Sequence, residues 1–124
     1  MSDSSNEKKS LKKDLYEQPD FYAVDDLLSE EHKLIRSSMR EFVKKEISPY
    51  IEDWAQRAHF PYQMVKKFGE IGAFGPTIPQ QYGGGGLDYI SYGISLQEME
   101  RGEAVMRSTA AVQGSLVMYP VYKL

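Results

Sequence analysis

Apolar residues recur at helical spacing along most of this chain, and no stretch shows a convincing two-residue alternation. The first segment starts at Ser29, a favoured N-cap, with Glu30 and Glu31 where the helix dipole favours negative charge. Leu34, Ile35, Met39, Phe42, Val43 and Ile47 then form an apolar stripe, with Arg36, Arg40, Glu41, Lys44 and Lys45 mostly on the other face. Pro49 pushes Ser48 out of the helical region and opens a second helix carrying Tyr50, Ile51, Trp54, Ala55 and Ala58. His59-Phe60-Pro61 reads as a turn. A third helix follows with Met64, Val65, Phe68 and Ile71 on one stripe and Gly72 as terminator. Gly75 to Gly86 reads as a loop. Asp88 caps a fourth helix that ends near Gly102, and a fifth apolar segment runs from about Ala104 to Val117 before Pro120. The fold class is all-α, a helical bundle of about five helices.

Residues 1–14 are polar and mixed in charge, and are expected to form a flexible lead. Residues 15–124 form the domain, with Leu15, Tyr16, Phe21 and Tyr22 lying extended against its body. The apolar last residue, Leu124, suggests a polypeptide that stops inside a structural unit. Fifteen Lys and Arg against eighteen Asp and Glu give a net charge of −3, which argues against binding nucleic acid through its phosphates. There is no Cys, and the two His are far apart, so thiolate chemistry is excluded and little is left for a metal cage. The longest uncharged run, Ser108 to Tyr122, is 15 residues and too short to span a bilayer. The N-terminus lacks the apolar core of a secretory signal and the Arg-rich character of a mitochondrial presequence, so a cytoplasmic location is expected.

Gly83-Gly84-Gly85-Gly86 lacks both the Gly-Lys-Ser/Thr and the preceding strand that a phosphate loop needs, and reads as a flexible turn. His32, in the first turn of a surface helix, and His59 read as solvated or locally bonded. Glu98, Glu100 and Glu103 form a solvated cluster that Arg101 and Arg107 can pair with. Trp54 and the tyrosines read as core and interface.

Arg107 stands out as the single charge between Ala104 and Tyr122, with Ser108 and Thr109 directly after it. A guanidinium beside two hydroxyls and free backbone N–H groups at a helix start is suited to gripping a carboxylate. The competing reading pairs Arg107 with Glu103, four residues back, and leaves Ser108 or Thr109 as a helix cap. The residues alone leave both readings open.

The segment Phe68-Gly-Glu-Ile-Gly-Ala-Phe-Gly-Pro-Thr-Ile-Pro-Gln-Gln-Tyr-Gly-Gly resembles the N-terminal signature of acyl-CoA dehydrogenases. Glu98-Met-Glu-Arg-Gly matches the helix end that follows it in that family. Met106-Arg-Ser-Thr-Ala-Ala-Val-Gln-Gly-Ser-Leu-Val-Met-Tyr-Pro resembles the glutaryl-CoA dehydrogenase branch. The resemblance covers roughly residues 15–124. It implies the N-terminal helical domain of a three-domain flavoenzyme, with FAD and the catalytic Glu held mainly by the later domains. Glutaryl-CoA would be the substrate, oxidised across its α,β bond and then decarboxylated to crotonyl-CoA. A homotetramer and an electron-transferring flavoprotein are further expectations. Arg107 and Ser108 match the Arg and Ser that bind the distal carboxylate in that branch. Ala111 departs from members that carry Ser near the substrate, and Gly102-Glu103 departs from the usual Gly-Asp. The rival is a stand-alone, non-catalytic helical interaction module derived from the same fold.

Overall fold

The computed structural model describes residues 16–124, and the lead expected over residues 1–14 lies outside them. The described residues contain no strand. Six α-helices follow in order: α1 Glu30–Glu46, α2 Ile51–Gln56, α3 Gln63–Glu70, α4 Tyr89–Gly102, α5 Ala104–Ala111 and α6 Tyr119–Lys123. A π-helical stretch, Val112–Met118, joins α5 to α6. The last apolar segment is therefore one helical rod that runs through Pro120 instead of stopping at Val117. Pro120 cannot donate to Leu116, so an α-helical bond is missing there. Tyr119 N–H reaches back instead to the Gly114 carbonyl, five residues away.

The core gathers Met39, Val43 and Ile47 of α1, Met64 and Phe68 of α3, Met99 of α4, and Met106 and Ala110 of α5. Val43, Ile47 and Phe68 are fully buried, each contributing about 1.5–3 kcal/mol by leaving water. The helical stripes are narrower than the sequence suggests: Leu34, Val65 and Ile71 are exposed, because α1 and α3 each bury one row of side chains. Phe21 and Tyr22 are also exposed, at 85% and 90%, and do not lie against the body. Polar bonds hold that segment instead: Arg36 grips Asp25 through two bonds of 2.5 and 2.9 Å, and Asp20 accepts from the Asp25 N–H. Ser48 is not extended but opens a 3-10 turn, Ser48–Tyr50, that leads from α1 into α2.

Helices α1 and α4 pack along their lengths, and Gly102 permits their closest approach. A Cβ at Gly102 would overlap the buried Val43 side chain. The Gly83–Gly86 segment is likewise a packed turn and not a flexible one. Gly84, Gly85 and Gly86 donate to the carbonyls of Pro79, Gly75 and Ile78. A Cβ at Gly84 would overlap the Ile78 carbonyl. Glycine is needed there for close approach of two backbone segments.

Both predicted caps are in place. The Ser29 hydroxyl accepts from His32 N–H at 3.1 Å, and Asp88 Oδ1 accepts from Ser91 N–H at 2.7 Å. The Asp88 carboxyl is held down from its ordinary 3.8 to about 2, chiefly by the Ser91 N–H and next by His32. A carboxylate with a folded pKa below its unfolded value adds stability above the unfolded pKa, and loses it as pH falls through the folded one. The bonds of Asp88 therefore stabilise the fold above about pH 4, and this contribution fades toward about pH 2. Asp88→Asn keeps a cap acceptor without the charge. Its urea midpoint should lie below the wild type's at pH 5, with the gap closing as pH falls to about 2. A gap independent of pH would contradict the assignment.

Candidate functional site

Glu103 is the N-cap of α5. Its carboxylate accepts from Val105 N–H at 2.7 Å and from Met106 N–H at 3.1 Å. Ser108 and Thr109 therefore do not cap the helix. The N–H of Arg107 is committed to the Glu103 carbonyl at 3.3 Å. Thr109 Oγ1 donates to the Val105 carbonyl at 2.8 Å, whereas the Ser108 hydroxyl has no hydrogen bond among the described residues.

Arg107 pairs with Glu100 of α4 and not with Glu103: its Nε donates to Glu100 Oε2 at 2.7 Å. The guanidinium makes no other bond among the described residues, and its side chain is 37% exposed. Both terminal nitrogens are thus left for an incoming acceptor, with the fork already oriented from behind. Glu100 is the member of the acidic cluster that pairs with Arg107, a choice that the sequence leaves open. It sits seven positions before Arg107, across the bend at Glu103, and reads in sequence as part of a charge cluster.

Arg107 and Ser108 are turned about 100° apart around α5. Ser108 lines a groove of about 600 Å³ with Val65, Phe74, Val105 and Val112. Arg107 is not among the residues that line it. Beyond the groove, Leu116 and Val121 leave the α5–α6 rod with an exposed apolar face, at 69% and 76% exposure. The π-helical stretch begins one turn beyond Arg107, where the Ala111 carbonyl accepts from Ser115 Oγ at 2.6 Å.

The other candidates are structural. Glu98 is fully buried and not solvated. Arg40 grips it through two bonds of 2.9 Å, and Arg101 Nε lies 3.5 Å away. His32 is buried, with Nε2 2.8 Å from Asp88 Oδ2, and His59 is exposed in its turn. Trp54 is half-buried and stacks on Tyr50 at 5.7 Å between ring centroids. Among the described residues, no group of three His, Asp or Glu is placed to hold a metal ion, and no helix is long and apolar enough to cross a membrane.

The domain is all-α among its described residues, with an arginine paired to Glu100 and an exposed apolar face on its last rod. The chain belongs to the acyl-CoA dehydrogenase family: residues 29–124 match the family model "Acyl-CoA dehydrogenase, N-terminal domain". The short-chain specific acyl-CoA dehydrogenase of rat mitochondria is 36% identical over 96 residues, covering 77% of this chain and 23% of the relative. The glutaryl-CoA dehydrogenase of Desulfococcus multivorans is 39% identical over 83 residues, covering 64% of this chain and 21% of the relative. A glutaryl-CoA dehydrogenase from Mycobacterium smegmatis, solved in complex with FADH2, superposes with a TM-score of 0.78 at 34% identity. That match covers 82% of this chain and 26% of the other. The chain thus spans about a quarter of the length of these relatives.

Proposed function

We propose that this chain is the N-terminal helical domain of a flavin-dependent glutaryl-CoA dehydrogenase, with Arg107 and Ser108 binding the distal carboxylate of the substrate. The observation that carries this reading is the Arg107–Glu100 bond, which orients the guanidinium and leaves its two terminal nitrogens unengaged, while the hydroxyl of the next residue, Ser108, makes no hydrogen bond among the described residues. A carboxylate accepts two parallel bonds from such a fork, and a hydroxyl can supply a third. Glu100 also tempers the attraction, because the incoming anion must share the arginine's charge. The contact strengthens as the site is covered and water is excluded.

The overall reaction in this reading is α,β-dehydrogenation of glutaryl-CoA, followed by decarboxylation to crotonyl-CoA. FAD supplies the electron acceptor for the first step. In this reading the main flavin contacts lie outside this chain. The one segment with the composition of a phosphate cradle, Gly83–Gly86, is filled by its own packing against Ile78 and Pro76. Flavin and catalytic base are assigned to the domains that the relatives have beyond this one, and the exposed face of the α5–α6 rod to contact with them. A homotetramer that hands its electrons to an electron-transferring flavoprotein completes the reading.

A second reading, a short-chain enzyme for monocarboxylic thioesters, draws on the 36% identity to the rat protein. In that case Arg107 serves only to pair with Glu100. The full-length polypeptide carrying this domain should purify yellow, and anaerobic glutaryl-CoA should bleach its flavin. Bleaching by butyryl-CoA but not by glutaryl-CoA would transfer the assignment to the short-chain class. A flavin-free full-length protein would favour a non-catalytic module. The 124-residue chain alone should purify colourless.

A further inference from the structure

His32 is the one buried histidine among the described residues, and it touches the start of two helices at once. Its Nδ1 accepts from Ser29 N–H at 3.3 Å, closing a reciprocal capping box at the start of α1. Its Nε2 lies 2.8 Å from Asp88 Oδ2, the carboxylate that caps α4. Glu or Gln is the usual partner of Ser in such a box, and neither could also donate from the far side of a ring.

These partners fix the tautomer. Nδ1 faces a donor and must carry a lone pair, and Nε2 faces a carboxylate and must carry the proton. The neutral ring satisfies both contacts. A second proton goes to Nδ1, where it meets the Ser29 N–H, so two donors then face each other. The Asp88 contact, by contrast, becomes a charged pair and tightens. Asp88 is the charged group of α4 in contact with the ring. In the preceding turn Asp25 is engaged by Arg36. On α1 itself Glu30 pairs with Lys33 at 3.2 Å and Glu31 is exposed.

We propose that His32 is a proton-operated clasp: neutral, it ties the starts of α1 and α4 together, and protonated, it releases Ser29 while keeping Asp88. Acidification then loosens the first turn of α1, while the segment ahead of it stays held by the Arg36–Asp25 pair. The start of α4 stays fixed.

Amide-proton exchange measured by NMR on the whole chain separates the two ends of the clasp. Between about pH 7.5 and about pH 5, protection of the Ser29 amide should fall about fivefold. Protection of the Ser91 amide, which depends on Asp88, should hold or rise. His32→Gln restores an ordinary Ser-x-x-Gln box, so its Ser29 protection should not change with pH. His59→Gln, at an exposed turn, should behave as wild type. Equal Ser29 protection at both pH values in the wild type would overturn the proposal, and so would an equal fall in His32→Gln.

Discussion

Replacing Arg40 by Met should lower the stability of this chain by about 3 kcal/mol. Glu98 has no exposed surface, and Arg40 meets both of its oxygens at 2.9 Å. Without Arg40, the remaining cation is Arg101, whose Nε lies 3.5 Å away and makes no hydrogen bond of its own. An ionised carboxylate left buried with so poor a partner must accept the desolvation cost or take up a proton. Small domains have only about 5–15 kcal/mol of stability in total, so the loss should show as a clear fall in urea midpoint. Replacing both partners with Met should recover most of it, because an apolar pair of similar volume leaves no charge unpaired. A single variant within about 0.5 kcal/mol of wild type, the usual range for surface changes, would show that Glu98 is not held as a buried anion.

The starts of α1 and α4 are legible because their causes are local. Ser29 and Asp88 cap through atoms three residues away, and Glu30 and Glu31 mark the first turn that the sequence places there. The misread residues share a different cause: their partners are distant in sequence. Glu98 looked like a member of a solvated acidic cluster because Arg40 lies 58 residues before it. His32 looked like a surface residue because Asp88 lies 56 residues after it. Four consecutive glycines suggested flexibility, whereas Gly84 is there because the Ile78 backbone occupies the space of a side chain.

The candidate site was legible by half. A lone arginine in an apolar helix marks Arg107 as a candidate, and the family resemblance adds Ser108. The competing reading pairs Arg107 with Glu103 on the rule of i, i+4 pairing along one helix. The chain instead bends at Glu103, which spends its carboxylate on the α5 N-terminus, and the bend brings Glu100 against the arginine. Glu103 caps because the first N–H groups of α5 need an acceptor.

The substitution Arg107→Gln in the full-length enzyme bears most directly on the proposed carboxylate site. If the guanidinium holds the distal carboxylate in a covered pocket, removing it leaves an anion without its cation. Breaking such a pair costs about 3–5 kcal/mol, on the order of a hundredfold or more in kcat/KM for glutaryl-CoA. A monocarboxylic acyl-CoA of similar length never used that contact, so its kcat/KM should change little. The decisive quantity is the ratio of kcat/KM for glutaryl-CoA to that for the monocarboxylic thioester, wild type against Arg107→Gln. The account predicts that this ratio falls about a hundredfold. An unchanged ratio, with both substrates affected alike, would mean that Arg107 serves only its bond to Glu100, and would contradict the dicarboxylate assignment.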